Sequence, residues 1–308
     1  MSDRVAPRVV AVVVAFNRRD LLAECLVALA AQTRPVDVVV VVDNASTDGS
    51  PAMVSERFPD ADLVRLAVNT GGAGGFSVGV AHALDVHDAD LVWIMDDDTV
   101  PAPTALAELM RVRQAAPGLA LQASRAVWTD GVEHPMNTPK RRIGAPKESV
   151  ARAAEQGAIP VRSASFVSLL VSADAVRAVG LPIAEYFIWN DDFEFTSRVL
   201  RRSEGWYCPS SVVVHKTKVF GSSDADPGER FYFEVRNKLW LFRFSPAFAW
   251  WERSLYVAAT ARRWLRTWFR SSDRAVIGAA GRRGWRDGWR TRPRPNDEVL
   301  APALKAEA

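Results

Sequence analysis

Apolar and polar positions fall in blocks along the first third of the chain. Arg8 to Phe16 (RVVAVVVAF) is an almost unbroken apolar run, as in a parallel strand covered on both faces. Asn17-Arg18-Arg19-Asp20 follows as a helix start, and the pattern predicts a helix to about Ala31. Val36 to Val42, Asp62 to Val68 and Leu91 to Met95 read as further strands. Ser50 to Phe58, Gly75 to His87 and Thr104 to Ala115 read as helices between and after them. Strands alternating with helices predict βαβ units and a mostly parallel sheet flanked by helices, an α/β fold. Further on, Phe166 to Ser172 and Ser211 to His215 have strand character, and Asp191 to Ser203 reads as a helix. Thr129 to Arg162 holds four prolines, with Lys140, Arg141, Arg142 and Lys147, and is expected to be a long, mostly irregular loop.

The polar signals sit where strands end: Asn17, Asp43-Asn44, Asn69 and Asp96-Asp97-Asp98. Ligands of open α/β sheets bind at the carboxyl ends of strands, so these positions converge on one candidate site. The three consecutive aspartates carry the most information. Neighbouring carboxylates at roughly 5 Å and an effective dielectric near 20 repel by about 3 kcal/mol per pair, so water or a cation must answer the charge. In an extended segment Asp96 and Asp98 share a face and Asp97 points the other way. Two hard oxygen ligands on one face suit Mg²⁺ or Mn²⁺ completed by phosphates and water, although a solvated acidic turn before Pro101 would read the same way.

Three more stretches could carry chemistry. Val42 to Ser50 (VDNASTDGS) places Asp43 against a nucleoside, or is a strand-to-helix turn capped by Asp48 or Ser46. Asn69 to Phe76 (NTGGAGGF) fails the dinucleotide pattern G-x-G-x-x-G, since Ser77 stands where glycine is required and the stretch follows the third strand. Its glycines, Gly72 and Gly74 among them, still allow a diphosphate to approach backbone ahead of a helix N-terminus. Tyr186 to Phe195 (YFIWNDDFEF) sets three acids among five aromatics. Such carboxylates have raised pKa values and become better bases, so Asp191 or Asp192 could take a proton; a capped, acidic first helical turn is the plainer alternative. His215 ends a short apolar strand and gains weight only if that end meets Asp96 to Asp98. His82, His87 and His134 read as surface or core residues.

Composition bounds these readings. The 308 residues are 48% hydrophobic and 24% charged, the balance of a folded soluble protein. Two distant cysteines, Cys25 and Cys208, argue against a disulfide framework or zinc site and fit a reducing compartment. Neither a signal peptide nor a run of ~20 apolar residues is evident. The net charge of +3 is split: from Arg236 onward 16 Lys/Arg face 6 Asp/Glu (+10), while the remainder carries 23 against 30 (−7). Seven of the eleven tryptophans lie in that basic tail.

VDNASTDGS, the acidic triplet after an apolar strand, WNDDFEF, and a histidine 23 residues after Asp192 occur in the order seen in inverting family 2 glycosyltransferases of the GT-A fold, which residues 8 to 240 resemble. NTGGAGGF, DDD and the histidine look most like bacterial cell-wall galactofuranosyltransferases; dTDP-rhamnose-dependent rhamnosyltransferases share much of the pattern, and both have a tract similar to Tyr232-Phe233-Glu234-Val235-Arg236-Asn237. The resemblance implies a UDP- or dTDP-sugar donor held by Asn17, Arg18, Asp43, Asn44, Asn69, Gly72, Gly74, Asp96 and Asp97. It implies Mn²⁺ or Mg²⁺ on Asp96, Asp98 and His215, Asp192 as catalytic base, Asp191 positioning acceptor hydroxyls, and Trp189 and Glu194 near the acceptor. That acceptor would be a polyprenyl-diphosphate-linked glycan at the inner face of the plasma membrane.

The tail fits that setting. In Ser254 to Arg270, Val257, Ala261, Trp264, Leu265 and Trp268 recur on one helical face and Arg262, Arg266 and Arg270 on another, as in an interfacial helix on an anionic membrane, or a helix packing on the catalytic domain. Arg282 to Arg294 is expected to be mobile near its prolines. The expected division is a catalytic domain over 1–237 and a helical, Trp/Arg-rich region over 238–308. No base-stacking motif accompanies the basic tail, so nucleic acid is not expected as partner. A nucleotide-sugar-binding scaffold without turnover is the remaining alternative.

Overall fold

The computed structural model describes residues 6–217, 220 and 226–305. It opens with β1 (Val9–Ala15), α1 (Arg19–Ala30), β2 (Val38–Asp43), α2 (Ser50–Arg57), β3 (Asp62–Arg65), α3 (Gly71–Asp85) and β4 (Leu91–Asp96). Next come β5 (Thr99–Pro101), α4 (Ala105–Ala115), β6 (Leu121–Val127), β7 (Lys140–Arg141), α5 (Lys147–Glu155), β8 (Ile159–Ser163), β9 (Leu169–Ser172), α6 (Ala173–Val179), α7 (Asp191–Val199) and β10 (Gly205–His215). Four helices close the chain: α8 (Phe231–Phe244), α9 (Trp250–Arg270), α10 (Arg274–Arg290) and α11 (Asn296–Leu304).

The sheet runs in the order β3-β2-β1-β4-β9-β6-β10-β8-β7, with β5 on β10. Strands β3, β2, β1 and β4 are mutually parallel, and β9 runs antiparallel to both β4 and β6. The continuous apolar run in β1 is explained by the two cores it joins. Val10, Val12 and Val14 enter the cluster under α3, and Val9, Ala11 and Val13 enter the cluster under α1 and α4, as the period of two requires. Helix α3 lies close on β1: a Cβ on Gly79 would sit 2.4 Å from Val12 Cγ1, and one on Gly75 2.5 Å from Val14 Cγ1. Overpacking at such contacts costs about 1–3 kcal/mol.

Three expectations need correction. The stretch 129–162 is not mostly irregular, because Lys147–Glu155 forms α5, with Ala153 buried against the sheet, and β7 and β8 flank it. The expected boundary at 237 falls inside α8, whose Leu239, Trp240 and Leu241 are as buried as Val235. The proline end of 282–294, expected to be mobile, is held: α10 before it packs on α8, and the Arg294 guanidinium meets Glu185 at 2.8 Å. Beyond them α11 returns to the body, where Leu300 and Ala303 join the core and Asn296 Nδ2 donates to Ser77 Oγ at 2.8 Å.

Candidate active site

The acidic triplet and His215 are brought together by strand register. Strand β4 ends at Asp96, Asp97 and Asp98 form a turn, and β5 comes back antiparallel to β10 with Thr99 opposite His215. Carboxylate oxygens of Asp96 and Asp98 and a ring nitrogen of His215 consequently lie within 4.8 Å of one another. The strand alternation expected for the triplet does not hold beyond Asp96, because the turn has no period of two. Asp97 therefore does not face away from Asp98: Arg18 Nη1 bridges them, 3.1 Å from Asp97 Oδ1 and 2.5 Å from Asp98 Oδ2.

The donor set fits a divalent cation. Asp98 Oδ1 is buried and has no hydrogen-bond partner among the described residues, and His215 Nε2 lies 3.1 Å away without hydrogen-bond geometry. His215 Nδ1 is 2.9 Å from the amide oxygen of Asn137, which can only accept, so Nδ1 carries a proton and Nε2 is the nitrogen turned to the carboxylates, where it could ligate a cation. Burial, reinforced by the charge of Asp98, pushes Asp96 up to about 7. Burial alone would raise Asp98 too, but contact with His215 and the charge of Arg18 hold it below its ordinary value. Burial takes Asp97 up to about 6, with Arg18 opposing. A cation at the meeting point would stabilise all three anions at neutral pH.

Residues at the ends of β1 and β2 mostly brace one another. Asn17, at φ 52°, accepts from Thr47 N at 2.8 Å and donates its own N–H to Ser46 Oγ at 3.0 Å. Asp48 takes the capping role: its carboxylate accepts from Arg19 N at 2.8 Å and from Ser50 N at 3.0 Å. Asn44 is a correction. Its Oδ1 accepts from Thr70 N at 2.8 Å and its Nδ2 donates to the Gly71 carbonyl at 2.8 Å, so the side chain is spent holding α3 and is not open to a nucleoside. Asp43 remains open: Oδ2 accepts from Ser46 N at 3.2 Å, while Oδ1 is buried with no hydrogen-bond partner among the described residues.

The glycine-rich stretch is itself the first turn of α3, four residues earlier than its pattern suggests. Gly71 has φ +72°, and a Cβ there would lie 2.1 Å from the Phe187 carbonyl oxygen, so no other residue fits. Two first-turn donors expected to meet a diphosphate are already used: Gly71 N binds Asn69 Oδ1 at 2.8 Å and Ala73 N binds the Phe187 carbonyl at 3.1 Å. Gly72 remains partly accessible, whereas Gly74 is buried against Thr70.

Phe187, Trp189 and Asn190 all have positive φ (64°, 64° and 67°), a concentration of backbone strain immediately before α7. Asn237 on α8 holds this segment, its Nδ2 donating to the carbonyls of Tyr186 (2.9 Å), Ile188 (2.9 Å) and Trp189 (2.8 Å). Arg236 Nη2 adds a bond to the Glu185 carbonyl at 2.7 Å. The result is an aimed α7 N-terminus. Asp191 is buried and pushed well up by burial and by Asp192, with Asp96 close enough to add to the shift. Asp192 is raised by burial, opposed by a backbone bond and by Lys238, which burial pushes down to about 7. Trp189 is 37% exposed beside them, open to a ligand. Glu194 is a correction: one turn along α7 it faces inward, 1% exposed, paired with Arg198 Nε at 2.8 Å and Ser245 Oγ at 2.6 Å, and it cannot reach an acceptor.

Sequence reading missed Asn137 and Asn237. Nothing in the composition around Asn137 marks it; Asn237 lies in the YFEVRN tract, noted only as a likeness.

The architecture is a GT-A fold: a mostly parallel sheet with an acidic, histidine-bearing cluster at its carboxyl edge, followed by C-terminal helices. The profile described as "Glycosyl transferase family 2" matches residues 10–175, and the chain belongs to that family. It is 31% identical over 256 residues to galactofuranosyltransferase GlfT1 of Mycobacterium tuberculosis strain H37Rv, covering 75% of this chain and 80% of that protein. It is 31% identical over 198 residues to GlfT1 of Mycolicibacterium smegmatis, covering 63% of this chain and 65% of that protein. Among solved structures, S. aureus TarS 1-349 in complex with UDP-GlcNAc has a TM-score of 0.63 at 16% identity, covering 95% of this chain and 84% of that one. The mannosyltransferase PcManGT from Pyrobaculum calidifontis, in complex with GDP-Man and Mn²⁺, has a TM-score of 0.53 at 20% identity, covering 90% and 79%. At these identities the two structures support the fold.

Proposed function

We propose that the protein is a metal-dependent, inverting galactofuranosyltransferase that moves galactofuranose from UDP-galactofuranose to a polyprenyl-diphosphate-linked glycan. The observation that carries this reading is the meeting of Asp96, Asp98 and His215 within 4.8 Å, with Asp191 near enough for Asp96 to bear on it. The named GlfT1 relatives favour galactofuranose as the sugar. Asp96, Asp98 and His215 would hold the divalent ion, and the mixed oxygen and imidazole donors suit Mn²⁺ better than Mg²⁺. When bound, it would neutralise charge on the departing diphosphate.

The chain's own groups account for the rest. Asp192, kept basic by burial at the head of α7, takes the proton of the acceptor hydroxyl. That oxygen attacks the anomeric carbon as the carbon–oxygen bond to the diphosphate breaks, inverting the centre, and UDP leaves with the bonding pair. Asp191 positions the hydroxyl, Trp189 offers a sugar a flat apolar face, and Asp43 Oδ1 accepts from the nucleoside.

The tail supports a membrane-bound acceptor. Helix α9 buries one residue, Thr260, of its 21. Trp251, Leu255, Leu265 and Phe269, 45–67% exposed, fall within about 80° of arc at 100° per residue, with Arg262 among them and Arg266 beside. Trp264, read as part of the apolar face, instead turns to the body, its Nε1 on Glu234 at 3.1 Å. No helix among the described residues is long and apolar enough to cross a membrane. Leu265→Asp/Phe269→Asp is expected to abolish sedimentation with anionic vesicles; unchanged sedimentation would refute the membrane role.

The decisive test is a donor panel with Mn²⁺ and a synthetic lipid-diphosphate disaccharide acceptor. Release of UDP from UDP-galactofuranose with transfer to the acceptor is expected. Turnover of dTDP-rhamnose alone would overturn the choice of donor, and binding of any donor without turnover would point to a scaffold.

A further inference from the structure

Away from the cleft, three side chains converge in a way the proposed reaction does not use. Asp62 opens β3, the edge strand of the sheet, and stands opposite Val40, three residues before the Asp43 level of the cleft. At about 3.3 Å per residue that is roughly 10 Å behind the carboxyl edge. His82 lies in the last turn of α3, and His87 just past its end. The chain folds back sharply to make them meet: Val86 N binds the His82 carbonyl at 3.0 Å, Ala89 N binds the Ala83 carbonyl at 3.1 Å, and Asp88 adopts φ 48°. Both imidazole Nε2 atoms then point at a single oxygen, Asp62 Oδ2, at 2.6 and 2.7 Å, and the rings stand edge to face 5.4 Å apart.

We propose that Asp62, His82 and His87 form a second divalent-cation site, separate from the cleft and selective for a borderline ion such as Zn²⁺. Two imidazole nitrogens and one carboxylate oxygen are a soft-to-intermediate set that Mg²⁺ does not favour. The side chains retain 24%, 17% and 34% exposure for His82, His87 and Asp62, so water can complete the coordination and an ion can enter. The ion would tie the edge strand to the C-terminal end of α3, the helix whose other end carries Gly71 and the Phe187 contact. Its role is to stabilise that pairing.

The test uses the full chain stripped with chelator. In Asp98→Asn/His215→Gln, which dismantles the cleft cluster, Zn²⁺ titration followed by calorimetry is expected to show one bound equivalent, with a melting temperature raised about 5 °C at a hundredfold excess over Kd. Adding His82→Gln/His87→Gln should remove that equivalent and the shift. Binding below half an equivalent in the first variant, or an equivalent retained without the histidines, would overturn the proposal. Should the first variant fail to fold, wild type is compared with His82→Gln/His87→Gln alone by bound Co²⁺. A loss of one equivalent is expected, and equal stoichiometry refutes the site. Persistence of bound Zn²⁺ in 10 mM Mg²⁺ is the expected sign of its selectivity, and displacement would overturn that claim.

Discussion

Two runs of acids, Asp96 to Asp98 and Asp191 to Glu194, look alike in sequence and are used differently. The first ends a strand and turns, so all its carboxylates stay near one point, answered by Arg18 and His215. The second starts a helix, whose 100° per residue sends neighbours in different directions. Asp191 lies near enough to Asp96 for its charge to be felt, Asp192 is answered by Lys238 and the Phe193 N–H, and Glu194 turns inward to Arg198 and Ser245. On the proposed reading one run holds a cation, and the other supplies the base beside a structural ion pair. Secondary structure, more than residue type, decides which acid can do chemistry.

The comparison is broken most directly at Asp192. Asp192→Asn keeps the shape and removes the proton acceptor, so transfer should fall about 10³-fold with nucleotide-sugar affinity unchanged in a binding titration. A loss below tenfold would transfer the base role elsewhere. The next largest effect is on stability. Glu194→Ala leaves the buried Arg198 guanidinium with backbone carbonyls but no counter-charge and should cost about 3 kcal/mol in denaturant unfolding, while the turnover of the folded fraction is kept. If turnover collapsed with stability intact, Glu194 would belong to the site after all.

A pH profile sharpens the same contrast. Burial raises Asp192, and a base works only when ionised, so the rate should fall as pH drops through a value above the ordinary ~3.9 of aspartate. Lys238 is charged below about 7 and opposes that shift. Lys238→Met therefore should move the acid limb to higher pH, read from kcat against pH; a limb that stays put would separate Lys238 from the base.

The sequence carried the fold where its period was simple. The β1 run, the parallel alternation and the strand-end polar groups were legible because a doubly covered strand is apolar throughout and the cleft must lie at its end. Asp96, Asp98, His215, Asp191 and Asp192 could be named as candidates; the structure brings Asp96, Asp98 and His215 together, with Asp191 near enough to feel Asp96. Asn44 and Glu194 could not be told from ligand-binding residues, since a buried amide or carboxylate that satisfies the protein's own backbone has the same local sequence as one that waits for a substrate. Helix α5 was hidden because four prolines around it read as loop. Asn137 and Asn237 act across 78 and 48–51 residues of chain, and no local pattern encodes such contacts.

Asn137 gives the finest test of the first acid run. Its side chain bonds His215 and Ser165 and neither Asp96 nor Asp98, and it accepts the Nδ1 proton of His215 at 2.9 Å, which leaves Nε2 free to bind. Without that acceptor the imidazole can turn or shift its proton, and orienting partners of this kind are worth about 10–100-fold in metal affinity. Asn137→Ala should therefore raise the Mn²⁺ concentration for half-maximal transfer about tenfold and leave the rate at saturating Mn²⁺ close to normal. The second run offers the control: Asp192→Asn should lower the rate at every Mn²⁺ concentration and leave the half-saturation point in place. If both variants moved the same parameter, the two runs would form one functional unit, and the division of labour read from strand and helix would be wrong.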